Sequence, residues 1–175
     1  MVDEAADAAA MSHLQLQNGT IWRWNRPLVG FDGEGTPHAR IEHRVIPGGP
    51  STVDAIANAA LFFGLAHYHA VLDSVAPSER LAFATARDNF YAGARRGLQA
   101  RTVWSDGAAH PVGRLLRQRL VPCAREGLAD LGIKTSDIAY YLGVIDERVR
   151  TGLGRREARG GSCGVVAVLI GRGRS

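Results

Sequence analysis

The block Pro47-Gly48-Gly49-Pro50 divides this sequence more sharply than any other feature. Two prolines and two glycines in four residues deny the chain both a strand ladder and a helix, so whatever precedes them ends there. Upstream the text is strand-forming. Thr20-Ile21-Trp22-Arg23-Trp24-Asn25-Arg26 is rich in β-branched and aromatic residues, and Pro27 ends that strand or marks an edge. Asp32-Gly33-Glu34-Gly35 is turn chemistry, and a second strand follows from His38 to Ile46. Together they predict a β-hairpin with a longer loop.

Downstream the apolar period becomes helical. Ser51 and Asp54 predict the cap of a helix running to about Leu72. Val53, Ile56, Ala57, Ala60, Leu61, Phe62 and Leu65 leave it apolar on most sides, which predicts a buried helix lying flat against the sheet. Ser78-Glu79 opens a second helix with Phe83, Ala86, Phe90, Ala94 and Leu98 inward. Pro111 opens a third, with Leu116, Leu120, Cys123, Leu128 and Leu131 as its stripe, a kink at Pro122 and an end at Gly132. Thr135 or Ser136 caps a fourth, with Ile138, Tyr141, Leu142, Ile145 and Val149 inward. The fold class is α+β: an antiparallel β-hairpin followed by about four helices. Two strands cannot cover so much helix, and a lone hairpin is marginal in water. The expectation is therefore an incomplete domain.

The 175 residues allow one ordinary domain. Residues 1–13 are Ala-rich and acidic and read as a disordered leader, without the basic start and apolar core of a secretory signal. Residues 153–175 are Arg/Gly-rich, without caps or periodicity, and read as a disordered tail. The net charge of +4 lies in that end of the chain: Arg155, Arg156, Arg159, Arg172 and Arg174 against Glu157. The rest is neutral, which argues against a nucleic-acid-binding body. Cys123 and Cys163 lack the spacing of a zinc site and are too few for a disulfide framework, a pattern that suits a reducing, cytoplasmic setting. The apolar run Val165–Ile170 is far short of the roughly 20 residues a bilayer needs, and no membrane role is expected.

Chemistry concentrates on the second strand. Alternation in Arg40-Ile41-Glu42-His43-Arg44 puts Arg40, Glu42 and Arg44 on one face, with Ile41, His43 and Val45 on the other. Two guanidinium forks can grip a phosphate and a carboxylate, while the glutamate between them can ligate Mg²⁺. An exposed charge ladder of little energetic worth fits the same text. Arg23 and Arg26, among Trp22, Trp24 and Asn25, can stack on a base or hold phosphate, or can simply snorkel beside packed indoles. His67 and His69 are two apart on a helix and do not form a metal pair. Gly30, Gly33 and Gly35 lie in a hairpin turn, not between a strand and a helix, so they are no dinucleotide fingerprint.

Asn18-Gly19-Thr20-Ile21-Trp22-Arg23-Trp24-Asn25-Arg26-Pro27, then Arg40-Ile41-Glu42-His43-Arg44 and Gly49-Pro50-Ser51, resemble bacterial glutamate–cysteine ligases and related ATP-dependent carboxylate–amine ligases. Ala57-Asn58-Ala59-Ala60, Asn89-Phe90-Tyr91 and Tyr141-Leu142-Gly143 extend the likeness to about Gly152. The resemblance implies the glutamine synthetase fold, with residues 14–152 as the C-terminal part of a ligase catalytic domain. It implies ATP and Mg²⁺, glutamate and an amine such as cysteine, an acyl-phosphate route and a place in glutathione biosynthesis. Carried over by position, Glu42 is a Mg²⁺ ligand and Arg44 grips the substrate carboxylate. Arg40, with Arg23 or Arg26, neutralises ATP phosphates, which makes Arg40 and Arg44 the catalytic pair. The family's other acidic ligands precede this stretch. The expectation is thus a ligase fragment that is inactive alone and needs the missing N-terminal half or another chain. A non-catalytic remnant or partner subunit, and a small nucleic-acid-binding module using the basic tail, are the alternatives.

Overall fold

The computed structural model describes residues 25–43, 51–75 and 77–152. The leader, the Thr20–Trp24 text, Arg44–Ile46 and the tail from Leu153 lie outside them. The chain divides into two compact units, residues 1–45 and 46–175.

Asp32 folds the first unit. Its Oδ1 accepts the amides of Glu34 at 2.9 Å and Thr36 at 2.8 Å, and Gly35 turns through φ 83°. Those amides, Thr36 first, hold the Asp32 carboxyl below its ordinary value. Strands β1 (Asn25–Phe31) and β2 (Pro37–His43) leave this loop as an antiparallel ribbon with Phe31 opposite Pro37 and Asn25 opposite His43. The first strand therefore does not end at Pro27. It runs through Pro27, which sits opposite Ile41. A two-stranded ribbon has a free edge on each strand, where a residue without an N–H is tolerated.

The second unit is built around α1 (Thr52–His67), which continues as a wider π turn over Tyr68–Leu72. Ser51 caps it: Oγ accepts the Asp54 amide at 3.3 Å and donates to the Asp54 carboxylate at 2.7 Å. By length and apolar content alone this helix could cross a bilayer. Within the unit it is the central element, packed on two helices. Ala57, Leu61 and Leu65 are at most 4% exposed, whereas Ile56 and Phe63 lie open at 41% and 55%.

The predicted second helix is two pieces, α2 (Pro77–Arg80) and α3 (Phe83–Arg96). Asp73 joins the first piece to α1, accepting from Arg80 Nη2 at 2.6 Å and contacting His69 Nδ1 at 2.9 Å. The inward face of α3 is Ala86, Asn89 and Gly93, not the predicted Phe83 and Ala94, which are exposed. Asn89 explains the shift. Its amide donates to the Val103 carbonyl at 2.7 Å and accepts the Val103 N–H at 2.9 Å, completing the edge of a strand. That strand, β3 (Arg101–Val103), pairs antiparallel with β4 (Ala109–Pro111) in a short hairpin the sequence did not announce. Asp106 holds its loop, accepting from Ala108 N at 3.0 Å and Arg119 Nη2 at 2.8 Å and contacting His110 Nε2 at 2.8 Å.

One helical run follows: α4 (Val112–Leu115), a π turn over Leu116–Leu120, and α5 (Val121–Asp130). The distortion expected at Pro122 is this widened turn just before it, where the helix accommodates a residue with no N–H to give. Gly132, at φ 75°, ends the run, its amide bonded to Ala129 O at 2.9 Å. Leu131 lies at that end and is 48% exposed, off the predicted stripe. The last helix, α6 (Thr135–Thr151), starts after Lys134 without a side-chain cap, so neither Thr135 nor Ser136 plays that part. Its inner face is Ile138, Leu142 and Ile145, each at most 3% exposed.

The core joins α1, α5 and α6 through Leu61, Leu65, Leu120, Ala124, Leu128, Leu142 and Ile145. Where α1 crosses α5, Gly64 lies on the backbone of Ala124, and Gly127 lies on the carbonyl of Gly64. A Cβ at either glycine would collide with main chain, which cannot rotate away. Gly143 of α6 faces open space. Opposite responses to one substitution follow. Gly64→Ala or Gly127→Ala should cost about 2 kcal/mol or more by forcing the helices apart, roughly 8 °C in melting temperature. Gly143→Ala should be neutral or gain up to about 1 kcal/mol from helix propensity. Thermal melts of the three variants check this, and equal effects would contradict the close crossing.

The Asp106 contacts also predict an acid response. His110 first, then the Ala108 amide and Arg119, hold its carboxyl at about 2 against an ordinary 3.8. The unfolded chain thus takes up this proton more readily than the folded one. The stabilisation is complete above about pH 4 and is lost as pH falls towards 2. The melting temperatures of the wild type and Asp106→Asn should differ most near pH 5 and converge towards pH 2. A gap that stays constant across that range would contradict the assignment.

Candidate functional site

The ribbon register settles which strand positions share a face. Arg26 is opposite Glu42, Leu28 is opposite Arg40, and Gly30 is opposite His38. Directly opposed positions of an antiparallel ladder lie on one side, so the positions of Arg26, Arg40 and Glu42 fall together. Alternation along β2 sets Ile41 and His43 on the other side, as expected. Arg23 and Arg44 lie outside the described residues.

Arg40 is exposed and Glu42 half-buried, so this face is open to a ligand. Ile41 on the opposite side is 59% exposed. His43 is half-buried, and burial pushes its imidazole below the ordinary value. Gly30 belongs to β1 itself, not to the turn, while Gly33 and Gly35 do lie in the connecting loop.

Magnesium can be tested against these residues. Mg²⁺ takes oxygen ligands in octahedral order and is commonly bound through one or two carboxylates together with substrate phosphates and water. Among the described positions this face of the ribbon has one carboxylate, Glu42. No group of three His, Cys, Asp or Glu able to hold a metal occurs among the described residues. The described residues therefore do not by themselves make a magnesium site. His67 contacts Asp130 at 2.7 Å and His69 contacts Asp73 at 2.9 Å, so the two histidines have separate carboxylate partners, consistent with their spacing.

The helical unit contributes one cleft that sequence reasoning missed, about 460 Å³, lined by Gly113, Arg114, Arg117, Gln118, Asp146 and Arg150 among others. Arg117 is bonded to Asp146 at 2.7 Å and Arg150 to Glu147 at 2.6 Å, while Arg114 donates to Gln118 Oε1 at 2.7 Å. Residues from two helices line it, so no local motif marks it. Cys123 is half-buried, and burial first of all pushes its thiol up, away from the low values of reactive cysteines.

A family model for glutamate-cysteine ligase family 2 matches residues 1–160. The chain belongs to that family. The match spans the ribbon and the whole helical unit through α6, and stops within the Arg/Gly-rich end. No curated protein and no solved structure matches the chain. Membership of glutamate-cysteine ligase family 2 agrees with the resemblance carried by the Trp-Arg-Trp-Asn-Arg and Arg-Ile-Glu-His-Arg segments, and it makes this a ligase-family chain.

Proposed function

We propose that this chain forms one part of an ATP-dependent carboxylate–amine ligase site, with β2 as the strand that meets the reacting groups. The observation that carries the reading is the register, which groups the positions of Arg26, Arg40 and Glu42 on one face in a chain whose family is glutamate–cysteine ligase. In the proposed reaction a glutamate carboxylate oxygen attacks the terminal phosphorus of ATP and ADP leaves. An amine, that of cysteine in the simplest case, then attacks the acyl carbon and phosphate departs. Arg40, with Arg23 or Arg26, neutralises the phosphate oxygens, because a planar fork bonds two oxygens at once. Arg44 holds the carboxylate of glutamate. Glu42 supplies one oxygen to a cation whose other ligands come from elsewhere. The single carboxylate on the described face supports this division of labour, in which a further segment or chain completes the site.

Two arms of one assay test the reading. The chain alone should release no ADP in response to glutamate and cysteine above a Glu42→Ala control. In a completed enzyme, with the acidic half of a ligase domain restored, the three strand variants should fail differently. Glu42→Gln should lower turnover and shift the Mg²⁺ requirement. Arg44→Lys should chiefly raise KM for glutamate, because a point charge replaces a two-pronged grip. Arg40→Lys should act on the ATP terms or on turnover. If Arg44→Lys changes only the ATP terms, or if all three match the wild type, the roles are misassigned.

A further inference from the structure

Gly30 is buried on β1, and the three atoms nearest to a Cβ built there all belong to side chains. It would strike the Arg40 guanidinium, Nη2 first, then Cζ at 2.9 Å, and His38 Nε2 at 2.8 Å. The missing side chain is thus a recess filled by the head of Arg40, with the His38 ring also against it. The loop glycines Gly33 and Gly35 have nothing comparable within reach. The register gives the recess a direction. Arg40 is opposite Leu28, Gly30 is opposite His38, and Arg26 is opposite Glu42. The guanidinium therefore leans towards the loop, on the far side of its own strand position from Glu42. Arg40 and Glu42 are two residues apart on one face, close enough for a long arginine side chain to turn back on the carboxylate.

We infer that Gly30 is a positioning residue. It seats the Arg40 guanidinium flat on the ribbon and away from Glu42, so that the cation meets a phosphate-bearing ligand already oriented. The inference rests on the reading that Arg40 contacts phosphate, but its first observable does not. An Ala at Gly30 would displace two exposed side chains, the Arg40 head and the His38 ring, so folding should be spared while the seat is lost. A free arginine has more rotamer freedom to surrender on binding than a seated one.

The test uses the full chain and reads the Arg40 Nε–H by nuclear magnetic resonance, assigned through Arg40→Lys. The wild type should show an ordered Arg40 side chain with a dispersed Nε–H signal. Gly30→Ala should move that signal to the mobile-arginine position with a melting temperature within about 2 °C of the wild type. Gly33→Ala, in open space, should leave it unchanged. A mobile Arg40 in the wild type, or an unchanged signal in Gly30→Ala, overturns the inference, and the first of these needs no variant to fold. MgATP titrations of the completed enzyme separate this from the reading beneath it. Arg40→Ala and Gly30→Ala should each weaken binding about tenfold, the scale of a lost charged hydrogen bond, and the double variant should be no weaker. If Arg40→Ala binds MgATP like the wild type, the phosphate role fails. If only Gly30→Ala binds like the wild type, the positioning role fails.

Discussion

The helical unit hangs on a backbone-to-backbone crossing. Gly64 of α1 and Gly127 of α5 remove the side chains that would otherwise hold two helices apart, and each lies against main chain of the other helix. That approach brings Leu61 and Leu65 onto Ala124 and Leu128 and lets α6 close the remaining side with Leu142 and Ile145. Interiors are packed too densely for a methyl group to be absorbed between two main chains. Around the crossing, polar ties fix register more than they add energy. Arg148 of α6 reaches Asn58 of α1 at 3.2 Å, and His67 reaches Asp130 at 2.7 Å where α1 and α5 run side by side.

The ribbon obeys a different logic. It leaves apolar side chains open, Phe31 at 44% and Ile41 at 59%, and both faces carry exposed residues, Arg40 on one and Ile41 on the other. What orders it locally is the Asp32 loop, where one carboxylate oxygen takes two backbone amides. A charged strand on such a ribbon suits ligand contact better than core formation. The positions of Arg26, Arg40 and Glu42 fall on one face of this ribbon in a chain of the glutamate-cysteine ligase family 2.

Much of this was legible in the sequence, for physical reasons that differ by element. Ser51 with Asp54, and Gly132, act through nearest-neighbour chemistry, so the cap and the stop could be read directly. The Arg40 and Glu42 alternation followed from the strand period and matches the register. Of the two readings Pro27 allowed, an end or an edge, the edge one holds, because each strand of a two-stranded ribbon is an edge strand. The face of α3 was misjudged because Asn89 is turned inward by a bond to Val103, fourteen residues away and invisible to periodicity. The β3–β4 hairpin is too short to show alternation. The Gly64–Gly127 contact and the Gly30 recess depend on what lies across from a glycine, which no single segment states. The roles of Arg23 and Arg44 rest on the family likeness and on the proposed reaction.

If the crossing governs the helical unit, its amides should be the last to open. Native-state hydrogen exchange on the full chain measures this residue by residue. The amides of Leu61–Leu65 and Ala124–Leu128 should exchange only through global unfolding of the unit, with the same denaturant dependence as the core of α6. Exchange of either segment by local opening, while Leu142 and Ile145 stay protected, would show that α6 does not depend on the glycine crossing and would contradict the account.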